Sequence, residues 1–189
     1  MSPWYPISPR TDVRRPRDLS RSAPAARHTR LVEHDGNGWI RCELGHRHWG
    51  RYGAAGLLIV DRRSPGDEPL VLVQHRASWT ANGDTWGIPG GARDSHESPA
   101  EGALREAHEE TGIGSAAVRI GGELIDEHGG WAYTTVLAEL LTSVVLVPQE
   151  ESAELRWVPV SSVSTLELHP GFALTWPELR ERLTSVPEA

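Results

Sequence analysis

The chain contains no lysine: all 19 of its basic residues are arginine. This excludes a Schiff-base lysine, a Walker-type phosphate lysine and a Ser-Lys dyad. The missing lysine fits the codon usage of a GC-rich genome. Cysteine is almost absent too. Cys42 stands alone, so neither an intramolecular disulfide nor a cysteine-based zinc cluster is available. No apolar run approaches the roughly 20 residues of a membrane helix. The N-terminus carries Trp4 and Tyr5 but no continuous apolar stretch of the kind a secretory signal needs. A cytoplasmic protein without a membrane partner is the expectation.

A chain of 189 residues suits one globular domain plus a tail. Its net charge of −7 is unevenly placed. Seven arginines against Asp12 and Asp18 give residues 1–30 a charge of +5, which leaves −12 for the remaining 159. Five prolines and little periodicity mark that basic segment for disorder. The predicted division is a basic extension over 1–38 and a folded domain over 39–189. An acidic body argues against a nucleic-acid partner, because a phosphate backbone needs a basic face. Acidic clusters suit divalent cations instead.

Within the domain, 52–60 (YGAAGLLIV) and 70–75 (LVLVQH) read as strands joined by a turn-rich connection. Residues 117–125, 133–147 and 155–160 read as further strands, the second long enough to be a bent or paired element. Residues 98–111 and 175–183 read as helices, the latter with Thr175 as N-cap and Glu178 three positions on. Strands and two helices without a regular βαβα rhythm indicate an α+β or mixed-sheet α/β fold.

The first helix is strongly specified. Ser98, Pro99 and Glu101 combine an N-cap serine, a proline at the first helical position and a reciprocal glutamate at the third. Gly112 suits the left-handed position that ends a helix. Inside it, Glu106, Glu109 and Glu110 lie at i, i+3 and i+4 and share a face, where like charges repel. Glu109 and Glu110 also sit near the helix C-terminus, where the macrodipole disfavours anions. Arg105 cannot neutralise three carboxylates, but a divalent metal could, and oxygen-only ligands favour Mg2+ or Mn2+ over zinc. Taken alone, the cluster fits a solvated acidic face equally well.

The spacing around it is more specific. Gly91, then Glu97 after five residues, then Arg105-Glu106-Ala107-His108-Glu109-Glu110-Thr111-Gly112-Ile113 after seven more resembles the Nudix box at every fixed position. The approach Trp86-Gly87-Ile88-Pro89-Gly90-Gly91 is similar to that of the same superfamily, the Nudix hydrolases. The resemblance implies a mixed β-sheet sandwiched between helices, with the box as loop–helix–loop. It implies hydrolysis of a nucleoside diphosphate linked to another moiety, using Mg2+ or Mn2+. By the same resemblance Glu106, Glu109 and Glu110 are metal ligands, one doubling as base, and a backbone carbonyl at or near Gly91 completes the shell. Arg105 and Glu97 pair to hold the loop–helix–loop. Coupled carboxylates around a metal share their titration, so no single base is assigned. Some members take a further carboxylate from a later loop. Glu150 and Glu151 are the candidates, with Glu151 favoured by its spacing to Trp157 and a charged turn as the competing reading. Asp126, Glu127 and His128 read as a polar turn. Nudix proteins are often homodimers.

Subfamily markers for ADP-ribose, NADH and coenzyme A hydrolases are missing, and the tyrosine of dinucleoside polyphosphate hydrolases has only Tyr133 as an approximate stand-in. That leaves a MutT-like pyrophosphatase of nucleoside triphosphates, including oxidised ones such as 8-oxo-dGTP, as the default. A nucleotide-sugar hydrolase or a non-catalytic nucleotide sensor are the alternatives. Without lysine, phosphate contacts fall to arginine, with Arg51, Arg76 and Arg93 as candidates. Trp86, Trp131, Tyr133 and Trp157 could stack on a base, and Trp131, after two glycines, is the first choice. The loop at 168–172 reads as a structural connection. Cys42, His46 and His48 fall short of a structural zinc site, which normally draws four ligands at paired spacings.

Overall fold

The computed structural model describes residues 34–64 and 66–184. The disorder expected of residues 1–30 falls outside them, and of the extension drawn over 1–38 they include only 34–38. The small, apolar run after Gly53 becomes β3 (Ala54–Asp61), preceded by a hairpin of β1 (Trp39–Arg41) and β2 (Arg47–Trp49). Next come β4 (Leu70–Arg76), β5 (Trp86–Gly87), β6 (Gly90–Ala92) and α1 (Pro99–Thr111). The chain closes with β7 (Val118–Glu127), β8 (Ala132–Leu140), β9 (Ser152–Pro159) and α2 (Pro170–Thr184). Three-residue and six-residue 3-10 turns precede β7 and α2.

Seven strands form one mixed sheet. Its path runs β5-β4-β3-β8-β7, with β6 added to β3 and β9 to β4. β3 runs parallel to β8, pairing Ala54 with Tyr133 through Val60 with Glu139, while the other pairings are antiparallel. β3 and β4 pair only at Val60–Val71 and Asp61–Leu70. From there β3 takes β6 as partner and β4 takes β5, while β9 lines β4 from Leu70 to Arg76. The candidate site lies where β3 and β4 diverge.

Successive residues of a strand face opposite sides, and β3 uses both. Leu58 and Val60 pack with Phe172, Trp176, Leu179 and Leu183 of α2. Ala55, Leu57 and Ile59 pack with Ala103 and Ala107 of α1. The sheet is thus sandwiched between the two helices, and β3 is apolar and buried from Ala54 to Val60 because neither face meets water there. Each of these large side chains adds about 1.5–3 kcal/mol by leaving water.

Helix α1 begins and ends as its sequence requires. Ser98 Oγ accepts from Glu101 N–H while Glu101 Oε2 accepts from Ser98 N–H (2.8 Å), and Gly112 takes a left-handed φ of 78° with its N–H on His108 O. Two sequence expectations need correction. Residues 141–147 do not continue the strand: it ends at Leu140, and the chain then crosses α1's end, where Val147 N–H donates to Thr111 O (3.0 Å). Thr175 is not an N-cap, because α2 starts five residues earlier at Pro170. Its hydroxyl donates back to Gly171 O instead (3.2 Å). A proline suits a first turn, and here Pro170 outranks the capping pattern further on.

Candidate active site

The box helix presents its carboxylates to a cleft of about 850 Å3. One wall holds Glu106, Glu109, Arg105 and the backbone of Gly90 and Gly91, joined by Glu151 from the approach to β9. Local sequence explains this wall. Ala103 and Ala107 are fully buried on β3, which turns the opposite, acidic face of α1 outward. A Cβ at Gly91 would stand 2.7 Å from the Glu106 carboxylate, so a larger residue would push that carboxylate out of its place.

Arg105 is the hub of the wall, with all five N–H donors engaged. Nε and Nη2 fork onto Glu97 (2.7 and 2.9 Å), Nη2 also reaches Ala92 O (2.8 Å), and Nη1 reaches Glu106 (2.7 Å) and Glu109 (3.2 Å). Planar bidentate pairing of this kind fixes geometry as well as charge. It holds the Glu97 carboxyl below the usual carboxylate range, chiefly through the Arg105 hydrogen bonds, and Glu97 in turn accepts from Asp94 N–H (2.9 Å).

Glu110 lies deeper, at 7% exposure. Its Oε2 accepts from Gly90 N–H (2.8 Å) and its carboxyl is hydrogen-bonded by Gln74. Burial pushes its pKa up to about 7, against the hydrogen bonds and with help from Glu106 and Glu151. Burial raises Glu106 in the same way, with Arg105 opposing and Glu109 and Glu151 adding. Gln74 is fully buried, donates to Ser152 Oγ (2.8 Å) and leaves its own Oε1 unpartnered. It braces Glu110 from behind the cleft, and pattern reading missed it, since a lone glutamine in an apolar strand carries no motif.

The donor set fits a hard divalent cation. Glu106, Glu109, Glu110 and Glu151 offer only oxygen, the preference of Mg2+ and Mn2+. Their mutual repulsion and burial leave charge that one shared arginine does not offset. Arg105 Nη1 stands between Glu106 and Glu109, and Glu109, with its side chain 45% exposed, is free to swing from it toward an ion. Glu150 is exposed and, unlike Glu151, stands outside the cleft lining.

The other candidates scatter. Arg76 lines the cleft, with its guanidinium on Ala81 O (3.2 and 3.1 Å). Arg93 is committed to Tyr52 O (2.6 Å) and Glu97 O (3.3 Å), and Arg51 lies outside the lining. Trp131 lines the cleft but is 8% exposed: its indole N–H donates to Gly50 O (2.8 Å) and its ring stacks on His48 (4.2 Å, 14°). Trp86 is buried with Arg156 over its ring (4.6 Å). The open aromatic surfaces of the cleft are Trp39, Trp49 and Trp79, at 52%, 43% and 67% exposure. Trp39 and Trp49 meet edge to face across the β1–β2 hairpin (5.5 Å), with Arg47 over Trp39. Alternation of aromatic and arginine in WIR and RHW was the available signal for these. The polar turn of Asp126 and His128 also reaches the cleft, tied by a 3.1 Å contact, as does the strap at His169, whose N–H donates to Trp86 O (2.7 Å).

Comparison with known proteins agrees with this geometry. Residues 51–177 match the NUDIX domain family. The Mycobacterium tuberculosis protein named "Putative 8-oxo-dGTP diphosphatase 3" is 46% identical over 176 residues, covering 89% of this chain and 79% of its own. The crystal structure of a Nudix hydrolase from M. smegmatis, RenU, superposes with a TM-score of 0.76 at 46% identity, covering 82% of this chain and 99% of that one. A C. elegans Ap4A hydrolase shares the fold at 19% identity (TM-score 0.57, covering 70% of this chain and 99% of that one). The chain therefore belongs to the Nudix hydrolases, the pyrophosphohydrolase family whose box it carries intact from Gly91 to Ile113.

Proposed function

We propose that the chain hydrolyses nucleoside triphosphates, 8-oxo-dGTP among them, to a nucleoside monophosphate and pyrophosphate. Glu106, Glu109, Glu110 and Glu151 would hold Mg2+ or Mn2+, with a backbone carbonyl at Gly91. The observation that carries this reading is the meeting of carboxylates from two distant segments, α1 and the approach to β9, on one wall of a cleft whose other wall is aromatic. The name of the M. tuberculosis relative supports the substrate. Nucleotide pools are intracellular, so cytoplasmic placement belongs to the same proposal.

A triphosphate repels an attacking water with several negative charges. A divalent cation bound by the glutamates supplies charge neutralisation and Lewis acidity there. The chain's own groups do the rest. One of the coupled carboxylates takes the proton of the attacking water. Arg105, locked on Glu97, keeps the loop–helix–loop in register and contributes positive charge at Glu106 and Glu109. Arg76 stands where a phosphate oxygen can replace Ala81 O as its acceptor, and Trp39 and Trp49 offer faces to the base.

A panel of purified substrates with Mg2+ tests the proposal. The expected result is turnover of 8-oxo-dGTP and other nucleoside triphosphates, with monophosphate and pyrophosphate as products. Turnover confined to nucleotide sugars would overturn the substrate assignment. Tight binding without hydrolysis of any panel member would overturn catalysis itself.

A further inference from the structure

The β1–β2 hairpin carries three ligating side chains that the carboxylate chemistry does not use. In an antiparallel hairpin, residues directly opposite, and residues two apart, share a face. The register pairs Arg41 with Arg47 and Ile40 with His48, and Cys42 N–H donates to His46 O across the turn (3.0 Å). Cys42, His46 and His48 therefore project from one face, while Trp39, Arg47 and Trp49 occupy the other. One ligating atom from each of the three lies within 4.8 Å of the other two. Spacing along the chain offers one cysteine and no second ligand pair, which argues against zinc, yet the hairpin folds Cys42 directly onto His46. A second observation is independent of the clustering: His48 Nε2 is buried with no hydrogen-bond partner, and a buried polar atom left unsatisfied is costly unless something binds it.

We propose that Cys42, His46 and His48 bind a zinc-class divalent ion, at a site distinct from the glutamate wall. One thiolate and two imidazoles form a borderline-soft set that prefers Zn2+ and disfavours Mg2+, the reverse of the all-oxygen glutamates. Three protein ligands leave the fourth tetrahedral position to water. Binding forms one sulfur–metal and two nitrogen–metal bonds and releases the Cys42 thiol proton to solvent, with no change of oxidation state. The ion would lock the hairpin turn, which is tied to the β7–β8 turn through Glu43 N–H on Gly129 O (2.9 Å). It would thereby stiffen the wall where His48 stacks on Trp131. The competing role is packing alone, since Cys42 is a buried free thiol against Ala54 and Trp131.

Cobalt titration of the full chain, stripped of metal by chelation, separates the two. A tetrahedral thiolate site gives a sulfur-to-cobalt charge-transfer band in the near ultraviolet and intense visible bands. Carboxylates alone give neither. The expected result is a charge-transfer band saturating at one equivalent, reversed by Zn2+, absent in Cys42→Ser and unchanged in Glu109→Gln. His46 is exposed, so His46→Ala should fold normally by circular dichroism and bind cobalt at least about tenfold more weakly. This second variant decides the question if Cys42→Ser fails to fold. Absence of the band in the wild type, its loss in Glu109→Gln, or undiminished affinity in His46→Ala would overturn the site.

Discussion

The two walls of the cleft are built by opposite strategies. The carboxylate wall comes from one helix, with Arg105, Glu106, Glu109 and Glu110 within six consecutive residues, and Glu151 as the single distant addition. The aromatic wall is assembled from the β1–β2 hairpin, the segment at Trp79 and the turn before Trp131. The first is rigid by local chemistry: a capped helix, an arginine with every donor used, and small residues that press α1 onto β3. The second depends on long-range contacts and keeps its large rings exposed. On the proposed function the first wall carries the phosphate chemistry, which is sensitive to position, and the second offers a broader surface that suffices to hold a base.

If that contrast is right, changes to the two walls should differ in kind. Glu110→Gln should lower kcat by about 100-fold or more, the usual scale for losing a preorganised electrostatic group. The same variant should be more stable than wild type without divalent cation. The Glu110 value of about 7 exceeds its ordinary 4.5, so the native state keeps a proton that the unfolded chain has already released. The metal-free protein therefore loses stability as pH rises from 4.5 to about 7. At about 1.4 kcal/mol per pH unit the cost at pH 8 is on the order of 3 kcal/mol. Thermal melts of both proteins in chelator at pH 5 and pH 8 read this directly, and a melting-point gain as large at pH 5 as at pH 8 would contradict it. Gly91→Ala, whose Cβ meets the Glu106 carboxylate, should destabilise by about 1–3 kcal/mol and reduce turnover in parallel, measured by denaturant titration alongside kinetics. On the other wall, Trp39→Ala should raise KM by about tenfold, within the 1–3 kcal/mol of a base–aromatic stack, while kcat stays near wild type. A fall in kcat instead would erase the distinction between the walls. Ser98→Ala should cost only about 1 kcal/mol of stability through the lost helix cap, read as a small shift in melting temperature.

The same contrast explains what could be read in advance. Helix α1, from its serine cap to Gly112, follows from residues within one or two turns of each other, so the pattern carried it whole. A mixed sheet followed from strands and two helices without a regular βαβα rhythm, and the helices on its two faces from the resemblance to the Nudix box. The stretch after Leu140 misled because its valines are β-formers, yet its backbone bonds go to the end of α1 instead of a neighbouring strand. Thr175 misled because Thr-x-x-Glu is a cap signal wherever it occurs, including inside a helix already begun at Pro170. Gln74 carried no signal, and the tryptophans of the hairpin carried only the aromatic–arginine alternation of WIR and RHW, for another reason. What matters is which distant side chains they face: Gln74 meets Glu110 and Ser152, and Trp39 meets Trp49. No local spacing encodes that.

The central claim is that the glutamate face of α1 performs phosphoanhydride hydrolysis. Glu109 tests it most directly, because its side chain is 45% exposed and takes little part in packing. Steady-state turnover of 8-oxo-dGTP by Glu109→Gln, measured across a Mg2+ titration with folding verified by circular dichroism, should fall by about 100-fold or more at every Mg2+ concentration. Turnover and Mg2+ dependence equal to those of the wild type would contradict the account.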